Sequence, residues 1–484
     1  MIYSNGNVYE GDWDNKKQGI GKMEFSNGDV YIGQWKNDLI CGKGTWKFAA
    51  HGETYEGDFL DEMKNGKGKM IYQNGDCYDG EWKEDRENGH GTFTSEKNGI
   101  VYEGNFNNGI KNGQGTMTVK NVSVYEGDWW NDQKHGLGKF HDLKTNDIYE
   151  GCWEFDMKKL GKLDCASGNF YLGGFKDGFF FGKGKMVYKD GCSYEGGWKY
   201  GLKNGEGKEI YANKSEYNGM WLENKKCGFG TMVFSDNTKY VGNWEDDVMK
   251  GEGKMYFSNG DRYEGNFHDN VMHGEGILYH KNGQIYKGSF VNGKKEGTGK
   301  FSCENGTEYN GQWKDNAILG HGNFLFANGA RYEGVYQKEK MHGKGIYTFL
   351  NGDSYTGDFY NNRFHGHGMY NFANGDRYEG DYKNGMRNGH GKMIFNNRGE
   401  YIGDWSKDKR DGYGTFKDYS GIRYHGDWKS DKRHGKGTFD FSNGDSYKGD
   451  WVNDRRTGEG KMKYSNSDIY EGGFINGKKS GYGV

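Results

Sequence analysis

Aromatic, glycine and polar positions alternate along this chain with a period of about 23 residues. Tyr-x-Gly recurs 21 times, from Tyr9 to Tyr470, and the spacing is constant from Tyr171 onward. Each copy follows one grammar, seen in Tyr263-Glu264-Gly265-Asn266-Phe267. A polar loop follows, then Gly274-Glu275-Gly276, an apolar residue two further on (Leu278), and a turn such as Asn259-Gly260 between copies. Residues at i, i+2 and i+4 share one face of a strand, so Tyr, Gly and the second aromatic face one way, as do Gly, Gly and Leu on the next strand. Asn-Gly between alternating runs is a strong hairpin signal, because both turn residues tolerate positive φ. The pattern predicts two antiparallel strands per repeat, and no helical period occurs anywhere.

A glycine inside a strand weakens it unless something packs on the bare backbone. Here each glycine has an aromatic neighbour whose ring can lie over it. One repeat buries too little to order its own 23 residues, so stability must come from interfaces between neighbours. The expected fold class is all-β: an elongated, twisted, single-layer antiparallel sheet (a solenoid) of tandem hairpins. Residues 1–484 read as one continuous array, irregular in spacing over 1–170 and strictly regular over 171–484. About 42 strands at ~4.8 Å would span roughly 200 Å before twist.

Composition sharpens this picture. Gly is 87 of 484 residues, Pro is 0, and mean hydropathy is -1.08, which alone would suggest disorder. Aromatics at 17% argue the opposite. A net charge of -3 and a pI of 6.6 give no case for nucleic-acid binding. Seven cysteines without a C-x-x-C pair suit a reducing compartment, and no run is apolar enough for a signal peptide or spanning helix. The expected location is the cytoplasm, including the cytoskeleton, a cilium or a cytoplasmic membrane face. No nucleophile–base constellation stands out, and the Gly-x-Gly motifs lack the following helix that a phosphate loop needs. No enzyme activity, cofactor or metal is expected.

The motif Y-E-G-x-W…H-G-x-G-x-M…N-G-D resembles the MORN (membrane occupation and recognition nexus) repeat, and the resemblance covers essentially the whole chain. It implies an elongated, grooved sheet and a scaffold role, as in junctophilins, radial spoke heads and protist cytoskeletal structures. In some members such repeats precede a phosphatidylinositol-phosphate kinase or a methyltransferase domain, and here the repeats leave no residues to build either. The leading expectation is a non-enzymatic protein-interaction scaffold for a cytoskeletal, ciliary or membrane-cortex assembly. Its groove would hold an extended peptide or helix on Tyr263, Phe267, Tyr286, Phe290, Tyr309, Trp313, Tyr332, Tyr336, Tyr355 and Phe359. Alternatives are a phosphoinositide-binding tether and a regulatory partner of an enzyme carried on another chain.

Copies that depart from the pattern are candidate special sites. The copy at Tyr149 has Lys159 where the first glycine is expected, and its neighbour carries Phe179, Phe180 and Phe181 in the loop. These three form either an exposed apolar anchor or a cover folded back on the irregular neighbour. Leu39-Ile40 and Ala317-Ile318-Leu319 are weaker cases, and Glu209 takes an otherwise apolar position. The last four copies have basic loops: Lys407, Lys409 and Arg410; Lys432 and Arg433; Arg455 and Arg456; Lys478 and Lys479. Stacked along one edge, they could meet anionic lipid headgroups; interleaved acids make a solvated, aggregation-resistant edge the alternative. Histidines at His135, His273, His342, His365 and His434, and between glycines at His90, His321, His367 and His390, read as a repeat preference rather than a metal site. Met1 and Val484 fall at adjacent phases of the repeat, which suggests unpaired end strands and assembly into homo-dimers or end-to-end oligomers.

Overall fold

The computed structural model describes residues 1–484 and contains 42 β-strands and no helix. They fall into two units, Met1–Asn237 with Trp244–Asp247, and Thr238–Asn243 with Val248–Val484. Within each unit the strands pair antiparallel with their chain neighbours, as the hairpin pattern predicts. One repeat shows the rules. Strand Arg262–His268 pairs with Val271–Tyr279, placing Tyr263 opposite Leu278, Gly265 opposite Gly276, and Phe267 opposite Met272. Val271–Tyr279 then pairs with Ile285–Val291, placing Gly276 opposite Gly288 and Leu278 opposite Tyr286.

Repeated in every copy, this register lines the glycines up strand after strand. In the first unit the column runs through Gly57, Gly68, Gly80 and Gly91, and in the second through Gly265, Gly276, Gly288 and Gly299. On one side of the column lie the tyrosine rings. A Cβ on Gly276 would be driven into the ring of Tyr263. In all 21 copies the tyrosine hydroxyl donates to the carbonyl three residues on, over 2.8–3.1 Å. Most tyrosines also meet two aromatics edge-on, one from the same strand and one from the next repeat. Tyr263 meets Phe267 at 5.2 Å and 85°, and Phe290 at 5.1 Å and 82°. Where the next aromatic is tryptophan, its indole N–H in most copies donates to the second glycine of the preceding repeat, as from Trp82 to the Gly68 carbonyl at 2.9 Å. The rings therefore form a continuous zigzag that ties each repeat to the next within a unit.

The two glycines of Gly-x-Gly do different work. The second lies beneath the tyrosine. The first, such as Gly274 at φ +67°, sits in a β-bulge between Gly265 and Phe267 and supplies the positive φ that the bulge needs. The copy at Tyr149 resolves differently from its sequence reading. It is one residue shorter, with Lys158 opposite Trp153 and Gly161 opposite Gly151, so the bulge sets two residues rather than three against Cys152, its glycine is the residue missing, and Lys159 replaces no glycine.

The turns also differ from expectation. Asn-Gly marks the wider connection between repeats, closed by Phe257 N–H to the Asp261 carbonyl at 2.9 Å, with Gly260 at φ +92°. The tight two-residue turn lies inside the polar loop, where Asp269 (φ +49°) and Asn270 (φ +68°) both take positive φ. Asn270 Oδ1 accepts the Met249 N–H of the preceding repeat at 2.9 Å, and Asp261 Oδ1 accepts the Lys281 N–H of the following one at 3.0 Å. Side-chain oxygens thus lock both edges.

Two outcomes follow from the ring layer. Gly276→Ala should lower stability by about 1–3 kcal/mol through overpacking, against about 1 kcal/mol for Tyr263→Phe, which loses one hydrogen bond; urea denaturation followed by tryptophan fluorescence ranks them, and a wild-type-like Gly276→Ala would refute the packing. Burial pushes Tyr171, Tyr240, Tyr309 and Tyr332 up to about 12, while an unfolded tyrosine ionises near about 10. The fold holds the neutral phenol, so this stability is complete below pH ~10 and lost as pH rises towards ~12. The larger part of the tyrosinate absorbance, from the buried rings, and the β-sheet circular dichroism should change together in that window; ionisation of all the tyrosines near pH ~10 with the sheet intact would contradict it.

Candidate functional site

The two faces of the sheet differ in what they offer. On the aromatic face the rings are closed off. The ten ring residues from Tyr263 to Phe359 expected to meet a partner are 0–7% exposed. The correction has a simple cause: in a sheet one layer thick these rings are the core. A second tier covers them, formed by the residue nine after each motif tyrosine. It is apolar at Ile40, Phe180, Met249, Met272, Ile318, Met341 and Phe364. Phe180 stacks on Tyr171 at 4.0 Å and Phe364 on Tyr355 at 3.8 Å. In most other copies the position is a cation lying on the rings, such as Lys64, 4.7 Å from the Trp82 centroid.

This tier divides two of the candidate sets. Of the three phenylalanines, Phe180 is core, while Phe179 and Phe181 are 52% and 38% exposed. Ile40 is buried and Leu39 exposed in the same way. Among the nine basic residues, Arg410 lies 4.1 Å over Trp428, Arg433 4.4 Å over Trp451, Arg456 5.5 Å over Phe474, and Lys479 4.4 Å over Tyr470. Arg410 and Arg433 also bond Asp431 and Asp454 of the next turn. Arg410, Arg433 and Arg456 are structural cations and are withdrawn from the lipid-facing set, whereas Lys479 lies on its ring but stays exposed. Lys407, Lys409, Lys432, Arg455 and Lys478 remain exposed on the turn edge.

Glu209 is explained on the same face. It forms a buried ion pair with Lys203, whose ammonium lies 4.6 Å over Trp221. A charge replaces the usual apolar residue because its counter-ion sits in the cation tier.

The opposite face is open. There the glycine column is a bare floor. Residues on either side of each glycine point outwards as two walls, two residues apart along the strand and so roughly 6.7 Å apart. One wall is built from the residue after each tyrosine and the residue after the second glycine, such as Glu333 and Ile346, which pair across strands. The other holds the residue within Gly-x-Gly and the residue three after each tyrosine. His367 Nδ1 lies 3.3 Å from Asp381, His390 Nδ1 3.1 Å from Asp404, and Lys344 2.8 Å from Asp358, each linking one repeat to the next. The histidines therefore fall into two rows. His321, His367 and His390 line the trough wall, while His273 and His342 lie next to the tight turns, against His268 and Tyr360.

Open clefts of about 850 Å³ (lined by Leu160, Lys183 and Glu206), 430 Å³ (His321, Lys344 and His367) and 720 Å³ (Lys436, Lys448 and Glu459) recur along this trough. Apart from the histidines between glycines, wall residues were absent from the sequence candidates, although the same alternation that assigned the rings to one face assigns their neighbours to the other.

A family model described as MORN repeat matches in twenty segments, from 9–30 to 470–484, and passes over 143–170, the stretch holding the shortened copy. No curated protein matches the chain. Among solved structures, the TCP domain of Drosophila melanogaster SAS-4 (dCPAP), in complex with a proline-rich motif of Ana2, is 12% identical, covering 37% of this chain and 90% of that one, with a TM-score of 0.22. The TCP10 domain of Danio rerio CPAP with a STIL peptide is 10% identical, covering 61% and 90%, with a TM-score of 0.18. Neither likeness carries functional weight.

Lys203→Met should cost about 3–5 kcal/mol by stranding the Glu209 carboxylate, whereas Lys203→Met with Glu209→Met should match the wild type or exceed it. Thermal unfolding of the two variants decides: equal losses would mean that the pair is not coupled.

Proposed function

The chain belongs to the MORN-repeat family, and from that premise we propose that it is a non-catalytic scaffold that holds other proteins along the glycine-floored trough. The supporting observation is the contrast between faces. The aromatic face is closed by its own cation and apolar tier, whereas the trough repeats the same open cleft in both units. Its walls mix Lys, Glu, His and exposed apolar residues, a surface suited to a polypeptide rather than to one small molecule. The setting we favour is a cytoskeletal, ciliary or membrane-cortex assembly, where a repetitive surface can array several partners. A second reading, contact with anionic lipid, rests on exposed Lys407, Lys409, Lys432, Arg455 and Lys478 along one edge.

Photo-crosslinking residues at Thr356 and Lys448 on the trough, and at Asn292 on the turn edge, would be installed in the full chain in its own cells. Trough positions should capture discrete proteins that the edge position does not. Capture only from the edge, or no protein captured at all, would overturn the trough reading.

A further inference from the structure

One stretch of trough in the first unit breaks the wall. In the regular ladder, the residue within Gly-x-Gly faces the residue three after the next tyrosine, and carboxylates close that step at Lys344–Asp358 (2.8 Å) and Lys436–Asp450 (2.5 Å). Leu160 and Lys183 occupy this same step, but their cross-strand partners are Gly174 and Gly197. The wall therefore has two notches, two strands apart. They are built into the backbone, since a Cβ at Gly174 would strike the Phe181 carbonyl oxygen and one at Gly197 the Asn204 carbonyl oxygen.

Each notch has an exposed side chain beside it. Leu160 is 61% exposed at the first, facing Leu172, 53% exposed, on the other wall. At the second, Lys183 lacks the carboxylate that its counterparts Lys344 and Lys436 have. The nearby ion pairs, Lys185–Glu195 at 3.2 Å and Lys208–Glu216 at 2.8 Å, leave it free. Backbone donors are freed as well. The His367 and Lys436 N–H groups donate to Asp358 and Asp427 of their own hairpins, but Gly174 and Gly197 offer Lys183 and Glu206 no such acceptor. The cleft here, about 850 Å³, is larger than the two of about 430 and 720 Å³ described in the second unit.

Dimensions select the occupant. The notches are two strand spacings apart, about 9.6 Å. A polyproline II chain advances about 9.3 Å in three residues, and its carbonyls are free to accept hydrogen bonds. The two-residue step of an extended strand, about 6.7 Å, misses the notches. We propose that the trough from Leu160 to Glu206 binds a polyproline II segment of a partner protein, with an apolar side chain over Gly174 and a carboxylate three residues along over Gly197. This deepens the trough reading and rests on it. The ligand's carboxylate takes the place of the aspartate that Lys183 lacks.

The test uses the full chain and a fluorescein-labelled proline-rich peptide bearing one leucine and, three residues on, one glutamate, read by fluorescence anisotropy. Lys183→Glu should weaken binding about tenfold or more and regain it with a peptide carrying lysine in place of that glutamate. Leu160→Lys should weaken it comparably, as should a four-residue spacing in the peptide. Both protein substitutions lie at exposed side chains, and unchanged thermal unfolding would confirm that the fold is intact. No binding by the wild-type chain, or equal binding by Lys183→Glu, overturns the site. If proteins still crosslink at Thr356 and Lys448 in that case, the scaffold reading stands without this site; if those crosslinks are also missing, the scaffold reading fails too.

Discussion

Everything in this molecule depends on a tyrosine ring lying over two glycines that face each other across a hairpin. The ring needs bare backbone beneath it, and the bare backbone needs the ring. Neither half tolerates replacement alone, because a Cβ at the second glycine enters the ring, as at Gly276 beneath Tyr263. The hydroxyl, held by the carbonyl three residues on, fixes where the ring lies. Since the contact spans both strands, it also sets their register. Since each tyrosine meets the aromatic of the next repeat, it sets that interface too.

The same constraint separates stability from recognition. A sheet one layer thick has no opposing sheet to bury against, so its core must be assembled on one face from side chains alone. Rings form the first tier, and cations or apolar residues form the second. Lys64, Lys203, Arg410 and Arg433 are examples in which a charged residue serves as cover, its stem packed and its charge over a ring. The other face carries none of that burden. Its residues vary between repeats, from Leu160 to Lys183 to His367, without disturbing the core.

Much of the fold was legible in the sequence because two periods, 2 within a strand and about 23 between repeats, are written in residue types that few other structures use. The alternation assigned the tyrosines, the second aromatics and the glycines beneath the rings to one face correctly, but not the first glycine of Gly-x-Gly, which the bulge turns towards the trough wall, as at Gly274 beside Asn266. It could not say that this face is the core, since exposure depends on the residue nine after each tyrosine, and that position holds Lys, Arg, Met, Ile or Phe, and Gln18 and Glu87 in two copies, without a simple pattern. The tight turn was hidden for a related reason. Asp, Asn and Glu adopt positive φ there, as at Asp269 and Asn270, while the familiar Asn-Gly signal belongs to the wider connection. Lys159 looked like a lost glycine because the missing bulge residue shifts the count by one. The basic residues of the last four copies looked equivalent in sequence, and only the pleat separates Arg410, on the rings, from Lys409, in solvent.

An array of near-identical repeats presents the same surface many times, and a uniform surface cannot place a partner at one position along it. Position has to come from irregularity. In this chain the copy that loses its bulge residue lies directly before the two hairpins in which glycine replaces the wall side chain at positions 174 and 197. Several regular copies, such as those at Tyr355 and Tyr447, close the same step with a carboxylate, and glycine recurs at this step only at Gly473. The core stays continuous through this stretch, with Tyr149, Tyr171 and Tyr194 fully buried and their hydroxyls bonded as in every other copy. Irregularity has been admitted on the open face and excluded from the closed one. That is the distribution expected if the aromatic face is constrained by folding and the trough by what it binds.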